Sequence, residues 1–432
     1  MKRYPQYKDS GVQWLGDIPE HWEVIKIKRL SQVKRGASPR PIDSPKYFDD
    51  NGEFAWVRIA DVTASSKYLL KTTQTLSQLG SSLSVKQYPG DFFVSIAASV
   101  GKPIITKIKC CIHDGFVYFT KFKINHDFIY YLFEAQQLFK GLGKLGTQLN
   151  LNTDTIGNIQ IPFPPISEQK NIACFLDRKL EEIDKFISNK QRLIELLKEQ
   201  KTAIINRAVT KGLNPDAPMK PSGIEWLGDI PKNWNISKIG YVCNVSSGGT
   251  PDRSRQEYWN GKIPWIKTGE INFNQIQAAE EYITEEGLIN SAAKVMPPGT
   301  LLMAMYGQGV TRGRVAILGI EAAFNQACLA ISPYNSLDIS YLFYFFIACY
   351  QFIRDTGNET SQMNLSAGLI KTVKVILPPL QQQSKIVAYV NKYNIQINQA
   401  ITTIEKEIEL IKEYRTTLIS EAVTGKIDVR ET

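Results

Sequence analysis

Thirteen residues from Ser10 to Trp22, SGVQWLGDIPEHW, return as SGIEWLGDIPKNW from Ser222 to Trp234, with nine positions identical. No other feature constrains the fold as strongly, because a chain copied in tandem folds as two similar units. The match keeps its offset of 212 through Lys26/Lys238, Ile27/Ile239, Val33/Val245, Gly36/Gly248 and Pro39/Pro251. It drifts by a few residues, as loop insertions would make it, and re-locks at an offset of 214. There Gln148, Asn150 and Leu151 align with Gln362, Asn364 and Leu365, Pro164-Pro165 with Pro378-Pro379, and Ala208-Val209-Thr210 with Ala422-Val423-Thr424. A duplication of this kind serves to bind two similar things, or one two-fold thing.

Within each copy, short β-type runs such as Phe92–Ile96, Val117–Thr120, Gly299–Met303 and Val373–Leu377 lie between Gly, Pro, Asn and Ser clusters. Aromatic-rich helical segments at Asp127–Lys140 and Asp338–Arg354 intervene. After each double proline the punctuation stops, and Ser167–Lys211 and Gln381–Thr424 contain neither Pro nor Gly. In the first stretch Leu176, Leu180, Ile183, Ile187, Ile194, Leu197, Ile204 and Ala208 follow alternating three- and four-residue steps, with Lys190 and Lys201 in the two missing slots. The second reads Val390, Asn394, Ile397, Ile401, Ile404, Ile408, Ile411, Arg415, Leu418 and Ala422. Such heptads predict that each helix buries a stripe against another helix, most simply the other copy, as an antiparallel coiled coil. Lys201 and Arg415 read either as a polar break for a partner to grip or as solvent-facing slots.

The expected fold is therefore α+β, with two repeated mixed domains, each followed by a long helix. Residues 1–165 form the first domain, 166–211 the central helix, 212–221 a linker, 222–379 the second domain, 380–424 the C-terminal helix and 425–432 a tail. At 1.5 Å per residue each helix makes a rod of roughly 60 Å. Shared tryptophans (Trp14, Trp22, Trp56, Trp226, Trp234, Trp265) read as packing anchors, since positions common to both copies report scaffold.

Composition narrows the function. Fifty-one Lys and Arg against 42 Asp and Glu leave a formal charge of +9, which points to a polyanionic partner. The excess is uneven: residues 1–165 carry +7 and residues 222–379 carry −1. The start lacks the apolar core of a secretory signal, and no apolar run is long enough to span a bilayer. Six cysteines without paired spacing read as reduced thiols, so the expected location is cytoplasmic. Three scattered histidines do not suggest a metal site.

Two domains that open with W-L-G-x-I-P-x-x-W and close with Q-x-N-L and a double proline, each followed by a long helix with E/Q-Q at its start and A-V-T at its end, resemble the specificity subunits of type I restriction–modification systems. The resemblance covers nearly the whole chain. It implies a non-catalytic protein in which each domain recognises one half of a bipartite DNA site. It also implies that the helices set the gap and dock two methyltransferase (M) subunits, through which restriction (R) subunits join. No cofactor is expected here, since S-adenosylmethionine and ATP would bind those partner subunits. The sequence agrees: its double prolines, FPPI, LPPL and MPPG, do not make an adenine-methylase motif, and there is no phosphate loop. Gly141-x-Gly143-x-x-Gly146 matches a dinucleotide fingerprint in letters only, because it follows a helical segment rather than a strand.

Candidate DNA contacts fall in four paired loops. Lys34, Arg35, Ser38 and Arg40 match a region with Thr250, Arg253 and Arg255; glycines there allow close approach to phosphate while Ser, Thr and Arg donate. Arg58 matches Lys267, each with an acid three residues on. Lys102 matches a longer loop with Gln308, Thr311, Arg312 and Arg314. Gln148 and Gln362 suit adenine, though their recurrence in both copies favours a structural or phosphate-side role. Two other classes compete: a self-contained DNA enzyme, whose metal or methyl-donor constellation is missing, and a non-catalytic coiled-coil adaptor with two duplicated binding domains that do not read DNA. The −1 of the second domain keeps the adaptor in play.

Overall fold

The computed structural model describes residues 2–139, 151–307, 310–355 and 365–430. The chain resolves into two compact units: residues 1–190 with 405–432, and residues 191–404. Neither boundary falls at the repeat junction; both cut through the long helices.

In the first unit the central sheet runs Gln32–Arg35, Phe116–Thr120, Phe92–Ser95, Pro103–Thr106, Tyr68–Leu69. A second sheet runs Gln74–Leu76, Phe54–Val57, Cys110–Ile112, Val85–Gln87. In the second unit Cys243–Ser247, Cys328–Pro333, Leu301–Ala304, Val315–Leu318 and Gln275–Ile276 repeat the first order strand for strand. Its smaller sheet keeps three strands, Glu281–Ile283, Trp259–Ile266 and Ala323–Phe324, with an isolated bridge from Met296 to Ala322 beyond them. The α+β class is as expected. The aromatic segments are broken rather than continuous: one has a helix over His126–Glu134 and a short 3-10 turn at Gln137–Phe139, and the other breaks at Cys349 into Ile339–Ala348 and Tyr350–Asp355.

The central helix spans Ile166–Lys211 and the C-terminal helix Leu380–Val423. Each starts beside its double proline, which cannot donate to a continuing ladder. Each ends at a left-handed glycine, Gly212 at φ +78° and Gly425 at φ +73°. Every heptad position named above is buried or half-buried. The pairing is antiparallel, as two cross-helix contacts in the first unit prove: Lys190 Nζ lies 2.7 Å from Glu407, and Arg415 Nε lies 3.3 Å from Asp184. In the second unit Lys201 Nζ donates to Asn398 Oδ1 at 3.1 Å. The slots of Lys190, Lys201 and Arg415 are thus neither solvent-facing nor empty; each reaches the opposite helix.

The E/Q-Q motif at each helix start bolts the helix to its domain. Gln169 is buried; its Nε2 donates to Pro164 O at 2.8 Å and its Oε1 accepts from the Asn125 N–H at 2.9 Å. Gln383 does the same with Pro378 O and the Asp338 N–H, both at 2.8 Å. Asn125 and Asp338 cap the aromatic helices, so one amide satisfies a strand exit and a helix start together. The residue before each glutamine holds a tryptophan. Glu168 Oε2 accepts from Trp22 Nε1 at 3.0 Å and Gln382 Oε1 from Trp234 Nε1 at 2.6 Å. All six shared tryptophans are buried or half-buried, which fits packing anchors.

The tail is not an appendage. Ile427 and Val429 are buried, the Asp428 N–H donates to Lys2 O at 2.9 Å, and Tyr7 Oη donates to Gly425 O at 3.0 Å. The stretch read as a linker also contains a strand, Met219–Pro221, paired with Asp229–Pro231, just as Tyr7–Asp9 pairs with Asp17–Pro19.

Candidate nucleic-acid interface

In each repeat the loop after the first strand of the central sheet is pressed onto the turn that enters the strand paired beside it. Gly36 makes this possible in the first copy: a Cβ there would sit 2.1 Å from His113 O. At Gly248 it would sit 2.2 Å from Phe324 O and 2.4 Å from Asn325 O. Only glycine allows two backbones to approach this closely. The contact brings the loop's hydroxyl to the tip of the turn. Ser38 Oγ donates to Asp114 Oδ1 at 3.0 Å, and Thr250 Oγ1 bonds Gln326 Oε1.

Around Asp114 the first copy gathers cations. Arg40 Nη2 lies 3.3 Å from Asp114 Oδ2 with its side chain 80% exposed, and Arg35 Nε donates to the Asp114 carbonyl. Burial pushes the Asp114 carboxyl up, but the Ser38 hydroxyl, a backbone N–H and Arg35 outweigh it, so it sits below the usual carboxylate range. His113, which accepts from the Gly115 N–H at 2.8 Å, is driven down mainly by burial. Beside them opens a cavity of about 620 Å³ lined by Ser38, Arg40, Ile42, Trp56, His113 and Asp114. Lys34 is exposed on the adjoining strand.

The second copy arranges its cations differently. The Arg253 guanidinium stacks 3.8 Å from the Trp259 ring centroid and pairs with Glu281 at 2.6 Å. Lys267 lies 2.9 Å from Glu280 and 3.0 Å from Glu281. Burial raises the Glu281 carboxyl, yet Arg253 and Lys267 together hold it below its ordinary value. Arg255 stays exposed, 3.3 Å from the Tyr258 hydroxyl. Glu280 and Glu281 thus balance Arg253 and Lys267 locally.

Several candidates are placed otherwise than the sequence implied. Lys102 donates to Thr63 O and Ser65 O, at 2.9 and 2.8 Å, closing the end of the short helix Ile59–Ala64; burial pushes its ammonium down. Arg312 is buried and donates to Arg354 O at the end of the helix Tyr350–Asp355. Both arginine and lysine here face protein rather than solvent, because helix-end carbonyls lacking intrahelical partners draw cationic donors. Arg314 is half-buried, 5.9 Å over Phe273, and Thr311 is half-buried beside Gly307. Arg58 is exposed and its guanidinium bonds Gln74, while the acid three residues on caps its backbone: Asp61 Oδ2 accepts from the Arg58 N–H, and Glu270 Oε1 from the Lys267 N–H, each at 2.8 Å. Gln148, Gln308 and Gln362 lie outside the described residues.

Sequence reasoning missed Asp114 and Gln326. The signal was present, since the offset of 212 that aligns Ser38 with Thr250 also aligns these two. Among the described residues no group of three or more His, Cys, Asp or Glu is placed to hold a metal ion, and no helix is long and apolar enough to cross a membrane.

A family model for the type I restriction modification DNA specificity domain matches residues 19–198 and again 231–410. The type I restriction enzyme MjaIX specificity subunit of Methanocaldococcus jannaschii is 23% identical over 443 residues, covering 99% of this chain and 97% of that one. The EcoKI specificity subunit of Escherichia coli is 22% identical, covering 93% and 90%. Among solved structures, a chain from work on the assembly and conformational transition of the type I R-M system aligns with a TM-score of 0.75 at 15% identity, covering 95% and 99%. The HsdS subunit from Thermoanaerobacter tengcongensis aligns at 0.57 and 16% identity, covering 95% and 98%. The structural likeness establishes the shared fold, and with the family's domain matched twice along its length, the chain belongs to the type I restriction–modification DNA specificity family.

Proposed function

We propose that this chain is the sequence-recognition subunit of a type I restriction–modification complex. Each repeat reads one half of a bipartite DNA site, and the paired helices fix the unread gap and dock the methyltransferase subunits. The observation that carries this reading is the loop-and-turn frame built twice at one offset, at Ser38/Asp114 and Thr250/Gln326, on a shared scaffold with unlike polar side chains. Scaffold held constant while the exposed chemistry changes is what two different half-sites require. Readers on one face of a duplex sit about 34–36 Å apart or a multiple of it, and a stiff helix pair preserves such a spacing.

Phosphate contacts come from the exposed Lys34, Arg35, Arg58 and Arg255. The protein is non-catalytic and cytoplasmic. S-adenosylmethionine and ATP belong to its methyltransferase and restriction partners, and restriction subunits join through the methyltransferases. The adaptor reading is not favoured by family membership.

Methylation mapping at single-base resolution, in cells carrying this chain with its methyltransferase partner, tests the proposal. A two-part motif with a constant gap is expected, and replacing residues 222–379 changes one half only. An active complex that methylates without a bipartite motif overturns it.

A further inference from the structure

We propose that Asp114 and Gln326 are equivalent base-reading residues, and that their difference makes the two half-sites differ: Asp114 accepts from a cytosine and Gln326 pairs with an adenine. This rests on the DNA-reading role proposed above and names the residues that exercise it.

The two side chains occupy one position in the fold. Both sit at the tip of the turn entering the second strand of the central sheet, ahead of Phe116–Thr120 in one copy and Cys328–Pro333 in the other. Both receive a hydroxyl from the loop locked down by Gly36 or Gly248. The hydroxyl and the glycine are the shared scaffold, and Ser38 and Thr250 act as positioning residues. The acceptor at the tip is what changed. It remains accessible in both: the Asp114 side chain is 40% exposed and Gln326 is exposed.

The chemistry separates the two. A carboxylate held ionised offers acceptors only, which matches the cytosine N4 amino group and repels the guanine O6 and N7 acceptors. Arg40 is tethered to this carboxylate and is otherwise solvated, so it lies ready for the guanine of the same base pair, where arginine binds O6 and N7. In the second copy the residue aligned with Arg40 is Asp252, and the one aligned with Arg35 is Ser247. Among the described residues no arginine bonds Gln326 as Arg40 bonds Asp114. A primary amide alone, with one donor and one acceptor edge, matches adenine N6 and N7.

The test uses the full chain with its methyltransferase partner and reads methylated motifs at single-base resolution. Asp114→Gln is expected to move the preference at one position of one half-site from C·G towards A·T, by about ten- to a hundredfold, with the other half unchanged. Gln326→Glu is expected to do the converse in the other half. A bipartite wild-type motif that both variants retain base for base overturns the inference and leaves the proposed function standing. A wild type without a bipartite motif overturns the function first. If Asp114→Gln abolishes methylation, the exposed Gln326 decides alone; if both variants abolish it, the positions are scaffold and the inference fails.

Discussion

The two places where a domain meets its long helix share one backbone and differ in charge. In the first unit Glu168 accepts from Trp22, from Tyr4 Oη at 3.1 Å and from His21 Nε2 at 2.6 Å. Nine residues along, Asp177 receives Lys67 Nζ at 2.6 Å and the Tyr131 hydroxyl, and the same ammonium touches Asp127 at 2.8 Å. In the second unit, at the offset of 214, Gln382 replaces Glu168 and Asn391 replaces Asp177. Tyr344 Oη bonds Asn391 and accepts from Asn394 Nδ2 at 3.3 Å. Each acid has become an amide of nearly the same shape. One joint is an ionic cluster and the other a neutral one, so geometry was conserved while electrostatics were free to drift.

The shared part of the joint should carry the largest effect. Gln169→Leu and Gln383→Leu each orphan a buried N–H and a buried carbonyl, and each is expected to cost about 3 kcal/mol. Hydrogen exchange over the aromatic helices His126–Glu134 and Ile339–Ala348 measures this separately; a loss in only one would break the equivalence of the joints. Next, Glu168→Gln should destabilise the first unit by about 1–2 kcal/mol, because charge-assisted bonds from Tyr4 and His21 are weakened together. Gln382→Glu, where among the described residues Trp234 alone donates to this side chain, should cost less, and equal losses would remove the contrast.

Acid sharpens it further. Burial raises the Asp127 carboxyl, but Lys67 and Tyr68 more than reverse this, so its folded value lies below the ordinary one. Its stabilisation is therefore present above the unfolded pKa of about 3.9 and is lost as pH falls through the lower folded value. Burial likewise lowers the Lys67 ammonium, yet Asp127 and Asp177 leave it net raised, so that contribution persists until alkaline pH. The stability gap between wild type and Lys67→Met should be flat near neutrality and close below about pH 4. The corresponding gap for Asn391→Ala should not change over that range. The smallest effect lies in the coil. Lys201 meets an amide and is pushed down by burial, so Lys201→Met should be neutral or stabilise by up to about 1 kcal/mol. Lys190→Met, which loses Glu407, should instead cost about 0.5 kcal/mol in thermal denaturation.

The repeat and the heptads were legible because periodicity and self-similarity are properties of the string. So was the packing role of the tryptophans, since both copies share them. The fate of individual cations was not. Lys102 and Arg312 look like surface donors until the fold brings the ends of Ile59–Ala64 and Tyr350–Asp355 beside them. Arg253 and Lys267 look free until Glu280 and Glu281 pair with them from a neighbouring segment. A charge is read correctly only with its partner, and these partners come from remote segments. The E/Q-Q motif was visible as letters, but its bolt joins Gln169 to Asn125, forty-four residues upstream.

The meeting of Lys2–Tyr7 with Gly425–Arg430 has a consequence for how the chain is strung. Lys2 accepts from Asp428, Tyr7 from its hydroxyl reaches Gly425, and the Arg430 guanidinium stands 4.8 Å over the Tyr4 ring. In the other copy the same seam, from Gly212 to Met219, is continuous chain. One seam is thus continuous chain and the other a contact between segments remote in sequence. Joining residue 430 to residue 2 and opening the chain within 213–217 is therefore expected to keep the same contacts while changing their order along the chain.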